Sequence, residues 1–366
     1  MEVTKWLLGW GLCLSYVFCG AQSHLTLPWD GDNQKSQVSQ WIGLVKVTIT
    51  YFSPDVTGPQ GESRQGKIWG DLVPYNDGKP YPWRAGANHN TTISLSHDVA
   101  IEGKSLKAGV YGLHMIPAED QWTVIFSHNS TSWGSFTYDE REDALRVQVS
   151  PQKAGYNEWL TYEFSNRLPD RTTVNLYWEN LVIPFTISAD VNNLYLENIR
   201  LELRDEAGFT WESWYEAAKF CLENEINYRE ALNWVNRSIS GDYFSNENAE
   251  NLLVKAGLLE RMGKTEAAEI AADKAMELGT ADQLYQYGRR LIREDRPQKA
   301  LEVFQLNHRR HGDAWPVHLG LGRGYRNTGD TKNALKHFKL ALKDAPNNRQ
   351  TINIQKIIDQ LKGHSD

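Results

Sequence analysis

Apolar and polar residues alternate along several short segments in the N-terminal half of the chain. In LVKVTITY, Val45, Val47 and Ile49 fall on one face, and the same alternation recurs in WTVIFS, LRVQV and TVNLYW. Such alternation predicts half-buried β-strands. The connections IEGKSLKAG and IPAEDQW contain the Gly, Pro and Asp residues typical of tight hairpins. We therefore predict an antiparallel β-sandwich over residues 44–205, preceded by a lead segment over residues 22–43.

The C-terminal half has the longer period of amphipathic helices, and a sequence repeat appears in it. Ala300 and Ala334 hold equivalent positions 34 residues apart, which is the length of a tetratricopeptide repeat. Small residues stand where two helices must approach closely, and large residues such as Phe338 fill the space beside them. The pattern predicts an α-solenoid of tetratricopeptide-like helical hairpins over residues 209–346, with a capping helix and tail over residues 347–366.

The first 21 residues have the order of a secretory signal peptide. One lysine precedes an apolar run, and small residues follow it before an expected cleavage site after Ala21. The run is shorter than the roughly 20 residues that a membrane-spanning helix needs, so we expect no membrane span in the mature chain. We expect an exported protein, periplasmic or secreted. Lipid anchoring through Cys19 stays open as an alternative, although Phe18 is larger than the residue that a bacterial lipobox places there.

Composition and charge exclude several classes of protein. The chain has 366 residues, 40% of them hydrophobic, and a formal net charge of -7. Such a chain can bury the cores of two domains. Neither half has the basic surplus that nucleic-acid-binding proteins carry, so we expect no nucleic acid as a partner. Signal cleavage would leave Cys221 as the remaining cysteine, and its apolar neighbours indicate a buried helix residue rather than a nucleophile.

The N-terminal half resembles a bacterial family known only as domain of unknown function 2911. The resemblance rests on YFSPDVTGPQG, GKIWGDLVPY, WRAGANHNTTISLSHDV, IEGKSLKAGVYGLHMIP and WGSFTYDEREDALRV. It implies an exported β-sandwich, often followed by tetratricopeptide-like repeats, from a Gram-negative organism of the Bacteroidetes type. Members of the family usually have Glu where this chain has His89. Any proton carrier at that position would therefore work here in the pKa range of an imidazole.

The segment WRAGANHNTT offers the best candidate ligand site of the N-terminal half. Arg84 can contact a carboxylate or phosphate through two N–H groups, and Asn88 can both donate and accept hydrogen bonds. One hypothesis is a small polar or anionic ligand held by these two residues, with His89 at the rim. The structural alternative is that Arg84 pairs with an acid such as Asp71, while Asn88 bonds its own backbone and holds the turn.

Two tryptophans, Trp83 and Trp133, are flanked by loop residues and are candidates for stacking against a sugar. Other chemistry finds little support in the sequence. The acidic segment YDEREDALRV is interpreted as a solvated turn, and neither a GxSxG nor a P-loop motif occurs. The histidines of this half lack the local spacing of metal ligands and are interpreted as surface and rim residues. We predict no catalytic residue, no cofactor and no metal site. The histidines are His89, His97, His114 and His128.

In the helical half, arginines recur at aligned positions of the repeat. Arg289 and Arg323 fall on the first helices of two hairpins, and Arg326 lies one turn further on. First helices line the inner groove of such a solenoid, so repeated arginine suggests a groove for a protein or peptide partner, an acidic peptide or a chain terminus. The alternative is a solvated helix face.

These observations favour a non-enzymatic exported protein of the cell envelope. Its β-sandwich would act as a binding module and its helical repeats as a scaffold for protein interaction. The alternative is a hydrolase-like envelope enzyme that acts on a polar or anionic substrate at residues 84–89. Convergence of Arg84, Asn88 and His89 with acids in a cleft would favour the enzyme.

Overall fold

The computed structural model describes residues 33–73 and 81–363. The chain divides into two compact units, Met1–Val191 and Asn192–Asp366. The predicted signal peptide lies outside the described residues. Within the described ranges, no helix combines the length and the apolar character needed to cross a membrane.

The first unit consists of two antiparallel sheets. The strands of this unit are β1 (Gln34–Ile42), β2 (Val45–Ser53), β3 (Thr91–Leu95), β4 (Val99–Ile101), β5 (Lys104–Leu106), β6 (Gly109–Ile116), β7 (Trp122–Ser127), β8 (Asp143–Val149), β9 (Gln152–Ser165) and β10 (Arg171–Ser188). The strand order is β1-β2-β3-β6-β7-β8 in one sheet and β5-β4-β10-β9 in the other.

The inner faces of the two sheets pack together and form one core. Val45, Val47 and Ile49 of β2 are fully buried, as their alternation predicted. Phe126 of β7 meets Phe185 of β10 at a ring distance of 5.9 Å, which joins the two sheets edge to face. The antiparallel β-sandwich predicted from the sequence is therefore confirmed.

Both ends of the sandwich differ from the predicted boundaries. β1 lies in the segment interpreted as a lead and pairs along its whole length with β2, so the sheet begins before residue 44. All of its residues except Ile42 are exposed or only partly buried, as at a sheet edge, which is why no apolar alternation marked it. At the other end, Val191–Glu202 forms helix α1 rather than part of the sandwich. Leu196 of α1 and Leu203, directly after the helix, are buried, and their spacing of seven residues is helical.

The second unit is built from helical hairpins, which confirms the predicted solenoid class. After α1, the helices are α2 (Trp211–Glu223), α3 (Tyr228–Ile239), α4 (Ala249–Arg261), α5 (Thr265–Leu278), α6 (Ala281–Arg293), α7 (Pro297–His311), α8 (Trp315–Asn327), α9 (Thr331–Lys343) and α10 (Asn348–Gly363).

Glycine and phenylalanine set the spacing within the hairpins. A Cβ at Gly322 of α8 would lie 2.8 Å from the ring of Phe338 on α9. No real Cβ tolerates such a contact, so glycine is what lets the two helices approach. Ala300 and Ala334 are fully buried, as expected for close-approach positions, and Cys221 is also buried. Burial raises the pKa of the Cys221 thiol to about 11, which leaves it protonated and unreactive at neutral pH.

Candidate functional site

The segment WRAGANHNTT forms a tight turn that is fixed mainly by its backbone. Ala85 and Asn88 both have left-handed backbone conformations, with φ of 51° and 53°. The Thr91 hydroxyl donates to the Ala85 carbonyl at 3.0 Å, and the Ala87 amide donates to the Phe52 carbonyl at 3.0 Å. Asparagine tolerates the left-handed region better than most residues, which explains its place in the turn.

The Asn88 side chain does not hold the turn in the way expected from the sequence. Its Oδ1 accepts a hydrogen bond of 3.4 Å from Asn33 rather than bonding its own backbone. Its Nδ2 is buried and has no hydrogen-bond partner among the described residues. A buried amide donor of this kind is costly to leave unpaired, so the position is compatible with a ligand that accepts a hydrogen bond.

Trp83 is not available for stacking against a ligand. It is buried at 3% exposure, and its ring stacks on Trp178 at 6.1 Å. The indole N–H donates to the Gly86 carbonyl at 3.1 Å, and backbone bonds join Trp83 to Met115 in both directions. The loop residues around Trp83 suggested exposure, but its own backbone pairs like a strand, so the side chain enters the core.

Trp133 forms an exposed aromatic surface together with Phe136 and Arg84. Trp133 is 57% exposed, and its ring stacks on that of Phe136 at 5.8 Å with an interplanar angle of 15°. The Arg84 guanidinium lies 5.8 Å from the centre of the Trp133 ring. A planar cation beside a flat apolar face can hold a planar or sugar-like anionic group. We call these three residues the aromatic surface.

His89 lies beside this surface. Its ring packs against Phe52 at 5.7 Å, and its backbone forms an isolated β-bridge with Trp133. The bridge brings the turn and the WGSF segment together, although they are far apart in the sequence. It places Arg84 and His89 on the same side of the sandwich as Trp133.

A buried polar network beneath the turn was missed in the sequence. His114 is 3% exposed, although it lies opposite Leu113 and Met115 along β6, and it was interpreted as a surface or rim histidine. Its Nδ1 is 3.0 Å from the Ser135 hydroxyl, and its Nε2 is 3.3 Å from Asn90 Nδ2. Burial lowers the pKa of His114 to about 4, so the ring is neutral near pH 7.

The burial of this network argues for support of the turn rather than for catalysis. Ser135 is fully buried and Asn90 is 5% exposed, so a substrate cannot reach the Ser135 hydroxyl in this conformation. His114 is buried because both faces of β6 are covered. The alternation of residues along one strand cannot reveal that its second face is also covered. The other histidines of this half match the expectation better, since His97 is half-buried and His128 is exposed.

The acidic segment YDEREDALRV is only partly the solvated turn that was expected. Asp139 pairs with Arg141 at its exposed end, as a solvated turn would. The carboxylate of Asp143 is only 8% exposed and accepts hydrogen bonds from Tyr138 and Arg146, each at 2.6 Å. The basic and phenolic partners of Asp143 come from the same segment, so the cluster stabilises itself.

The second unit contains a groove of about 800 Å³ along the first helices of three successive hairpins. Tyr215 of α2, Leu253 and Val254 of α4 and Tyr287 of α6 provide apolar lining. Gly257 also lines it, and a Cβ there would lie 2.8 Å from Leu222, so glycine keeps the α2–α4 contact close. We call this the α2–α4–α6 groove. Its position on first helices agrees with the expectation from the repeat.

Charged side chains border the groove in nearly equal numbers. Five basic and six acidic residues line it. Arg261 pairs with Glu225 at 2.9 Å, and Arg296 pairs with Glu260 at 2.6 Å. The groove is therefore close to neutral as a whole, unlike the arginine-rich surface that the repeat suggested.

The arginines named from the repeat lie elsewhere. Arg289 is absent from the lining residues described for the groove, whereas its neighbour Arg290 is present. Arg289 instead lies 5.7 Å from the Tyr285 ring and donates to Gln286 at 3.2 Å. Arg323 and Arg326 lie on α8, and burial together with the charge of Arg323 lowers the pKa of Arg326. Successive residues of a helix point about 100° apart, so Arg290 can line the groove while its neighbour Arg289 does not.

Residues 33–187 match the family described as Protein of unknown function (DUF2911). The match confirms the resemblance that was drawn from the sequence of the N-terminal half. No curated protein matches the chain.

Several solved structures resemble part of the chain. MamA from Desulfovibrio magneticus RS-1 is 16% identical with a TM-score of 0.30, over 43% of this chain and 85% of that chain. YrrB, described as a TPR protein with an unusual peptide-binding site, is 17% identical with a TM-score of 0.28, over 45% of this chain and 84% of YrrB. A thermophilic TPR protein from Thermus thermophilus is 14% identical with a TM-score of 0.31, over 47% of this chain and 90% of that protein.

Proposed function

We propose that the chain is a protein-interaction scaffold that binds an extended peptide segment of its partner in the α2–α4–α6 groove. The observation that carries the proposal is the groove itself, which combines about 800 Å³ of space with an apolar floor and charged walls. Such grooves hold peptides by burying alternate side chains and by fixing direction through a few charged contacts.

Arg290 is the residue best placed to fix the direction of a bound peptide. Its guanidinium lies 5.5 Å from the Tyr287 ring, and its Nε is 3.1 Å from Glu294. That Nε is buried and makes no hydrogen bond among the described residues, although Glu294 forms an ion pair with it. A peptide carboxylate could add a second acceptor for the guanidinium.

Arg293 adds a cation near the same end of the groove. It is exposed and has no ion pair among the residues described. The negative charge of Glu294 offsets the positive charge of Arg290 in the same part of the groove. We infer a peptide that contributes one carboxylate, as a chain terminus or a single acidic side chain would, together with apolar side chains over Leu253 and Val254. A strongly acidic peptide fits less well, because the acidic residues of the groove would repel it.

Selection from a random peptide library tests this proposal. Peptides selected on the chain are expected to lose binding to the Arg293→Glu variant and to keep binding to Arg309→Glu. Arg309 is exposed on α7 and is not among the lining residues described for the groove, so the two variants change the net charge equally. Selected peptides that bind both variants equally well would show that the groove is not their site.

The proposal includes export to the cell envelope. The order of charged, apolar and small residues before Ala21 supports it. Mature protein recovered from the envelope or the medium should begin at Gln22. A chain that begins at Cys19 and partitions into detergent would instead indicate a lipid anchor, and a cytosolic chain that retains Met1 would contradict export.

The aromatic surface supports a second, separate role for the β-sandwich. Trp133 and Phe136 are exposed, and Arg84 lies beside them, which suits a small polar or anionic ligand with a flat face. The buried Asn90, His114 and Ser135 give this surface rigid support. The alternative of an envelope enzyme at residues 84–89 would require a reactive group that substrate can reach, and turnover that Arg84→Ala abolishes would support it.

A further inference from the structure

Three side chains with metal-binding atoms converge where α7 meets α8. They are His308 near the end of α7, Asp313 in the connection, and His318 in the first turns of α8. Their candidate ligand atoms all lie within 4.8 Å of one another. The Asp313 carboxylate oxygen Oδ1 is 3.0 Å from His308 Nε2 and 3.3 Å from His318 Nε2.

The two distances to Asp313 Oδ1 match those between neighbouring ligand atoms of one metal ion. In a tetrahedral zinc site with bonds of about 2.0–2.1 Å, neighbouring ligand atoms lie about 3.3 Å apart. We propose that His308, Asp313 and His318 bind a divalent transition-metal ion such as Zn²⁺. Two imidazoles and one carboxylate suit such ions, whereas Mg²⁺ and Ca²⁺ prefer sites made only of oxygen atoms.

His337 of α9 is placed to orient His318. The Nδ1 atoms of the two rings are 3.1 Å apart, and His337 is itself stacked on Tyr325 at 5.6 Å. When His318 Nε2 binds a metal ion, its proton must lie on Nδ1, and His337 Nδ1 can accept the resulting hydrogen bond. Histidine ligands commonly donate their second ring N–H to a fixed acceptor in this way.

Two charged side chains near the site act on a bound cation in opposite directions. The charge of Lys336 opposes a cation here, and that of Asp344 favours one.

The site is open on one side. The side chain of His318 is only 5% exposed, whereas those of His308 and Asp313 are 41% and 80% exposed. An ion can enter from solvent, and three protein ligands leave a fourth position for water or for a group of a partner. The ion would tie the end of α7 to the start of α8, next to α9. No metal site was predicted from the sequence, where only the histidines of the N-terminal half were considered as ligands.

Metal titration of the full chain tests this proposal. The protein is purified without a histidine tag, treated with a chelator and titrated with Zn²⁺ in competition with a chromophoric chelator. Co²⁺ in a parallel titration reports ligand number through its visible absorption. The variants are His308→Gln and Asp313→Asn, whose side chains are partly or largely exposed and so leave the fold intact. The matched control is His128→Gln, an exposed histidine of the other unit.

We expect one Zn²⁺ per chain in the parent and in His128→Gln, and affinity at least about tenfold lower in His308→Gln and Asp313→Asn. His337→Gln should weaken Zn²⁺ binding less than His308→Gln or Asp313→Asn does. Its Co²⁺ spectrum should indicate the same number of ligands as the spectrum of the parent. No stoichiometric binding by the parent, or binding that His308→Gln and Asp313→Asn leave unchanged, would overturn the proposal. In that case the cluster serves only to pack α7, α8 and α9 through hydrogen bonds.

Discussion

The ring of Phe338 fills the space over Gly322, where a Cβ would lie 2.8 Å from the phenylalanine Cδ1 atom. Phe304 stands in the same relation to Gly288 in the preceding hairpin. A glycine on the first helix is thus paired with a phenylalanine on the second helix in both the α6–α7 and the α8–α9 hairpin. This pairing holds the two helices of a hairpin closer than any side chain at the glycine would permit.

Gly322→Ala should therefore destabilise the helical unit. Alanine gains about 0.5–1 kcal/mol over glycine in a helix, but overpacking against a buried ring costs about 1–3 kcal/mol. We expect a net loss, measured as the free energy of unfolding in urea from helical ellipticity. Gly363→Ala is the control, because a Cβ there meets nothing within 4 Å. Equal stability of Gly322→Ala and the parent would contradict the role given to this contact.

Trp83 and Trp133, the two tryptophans that were predicted to bind a ligand, should contribute very differently to the free energy of unfolding. Trp83→Ala removes a buried ring stacked on Trp178, so we expect a loss of about 3–5 kcal/mol. Trp133→Ala removes a side chain that is 57% exposed, so the change should stay within about 0.5 kcal/mol. Urea unfolding of the two variants checks both values. A large loss in Trp133→Ala would mean that the aromatic surface is structural.

The pH dependence of stability should report the buried His114. Its pKa is about 4 in the folded chain and near 6.5 when unfolded, so the unfolded state binds the extra proton between these values. The stabilisation is present above pH 6.5 and is lost as the pH falls towards 4, by up to about 3 kcal/mol. Comparing the parent with His114→Gln cancels the contribution of other groups. Parallel pH curves for the two proteins would show that His114 titrates normally.

Much of the fold could be predicted because burial leaves a regular trace in the sequence. Val45, Val47 and Ile49 alternate because one face of β2 is buried, and Ala300 and Ala334 recur because each hairpin repeats the same contact. The edge strand β1 left no such trace, since neither of its faces is fully covered. Helix α1 was missed because leucines two residues apart in NLYLEN resemble strand alternation.

The sites were harder to predict because they depend on contacts between distant segments. The aromatic surface joins Arg84 to Trp133 across a β-bridge that no local pattern reveals. The groove is lined by Arg290 rather than Arg289, a distinction of one helical position. His308, Asp313 and His318 are separated by five residues each and cross from one helix to the next, so their spacing matches no familiar metal motif.

The affinity of a selected peptide for groove variants tests the central claim most directly. Fluorescence polarisation would compare the parent with Arg290→Glu, Arg293→Glu and Arg309→Glu, each first checked for helical content by circular dichroism. We predict that the two groove variants bind at least about tenfold more weakly, which corresponds to about 1.4 kcal/mol, and that Arg309→Glu binds as the parent does. Equal affinity of all four folded proteins for every selected peptide would contradict a peptide site in the α2–α4–α6 groove.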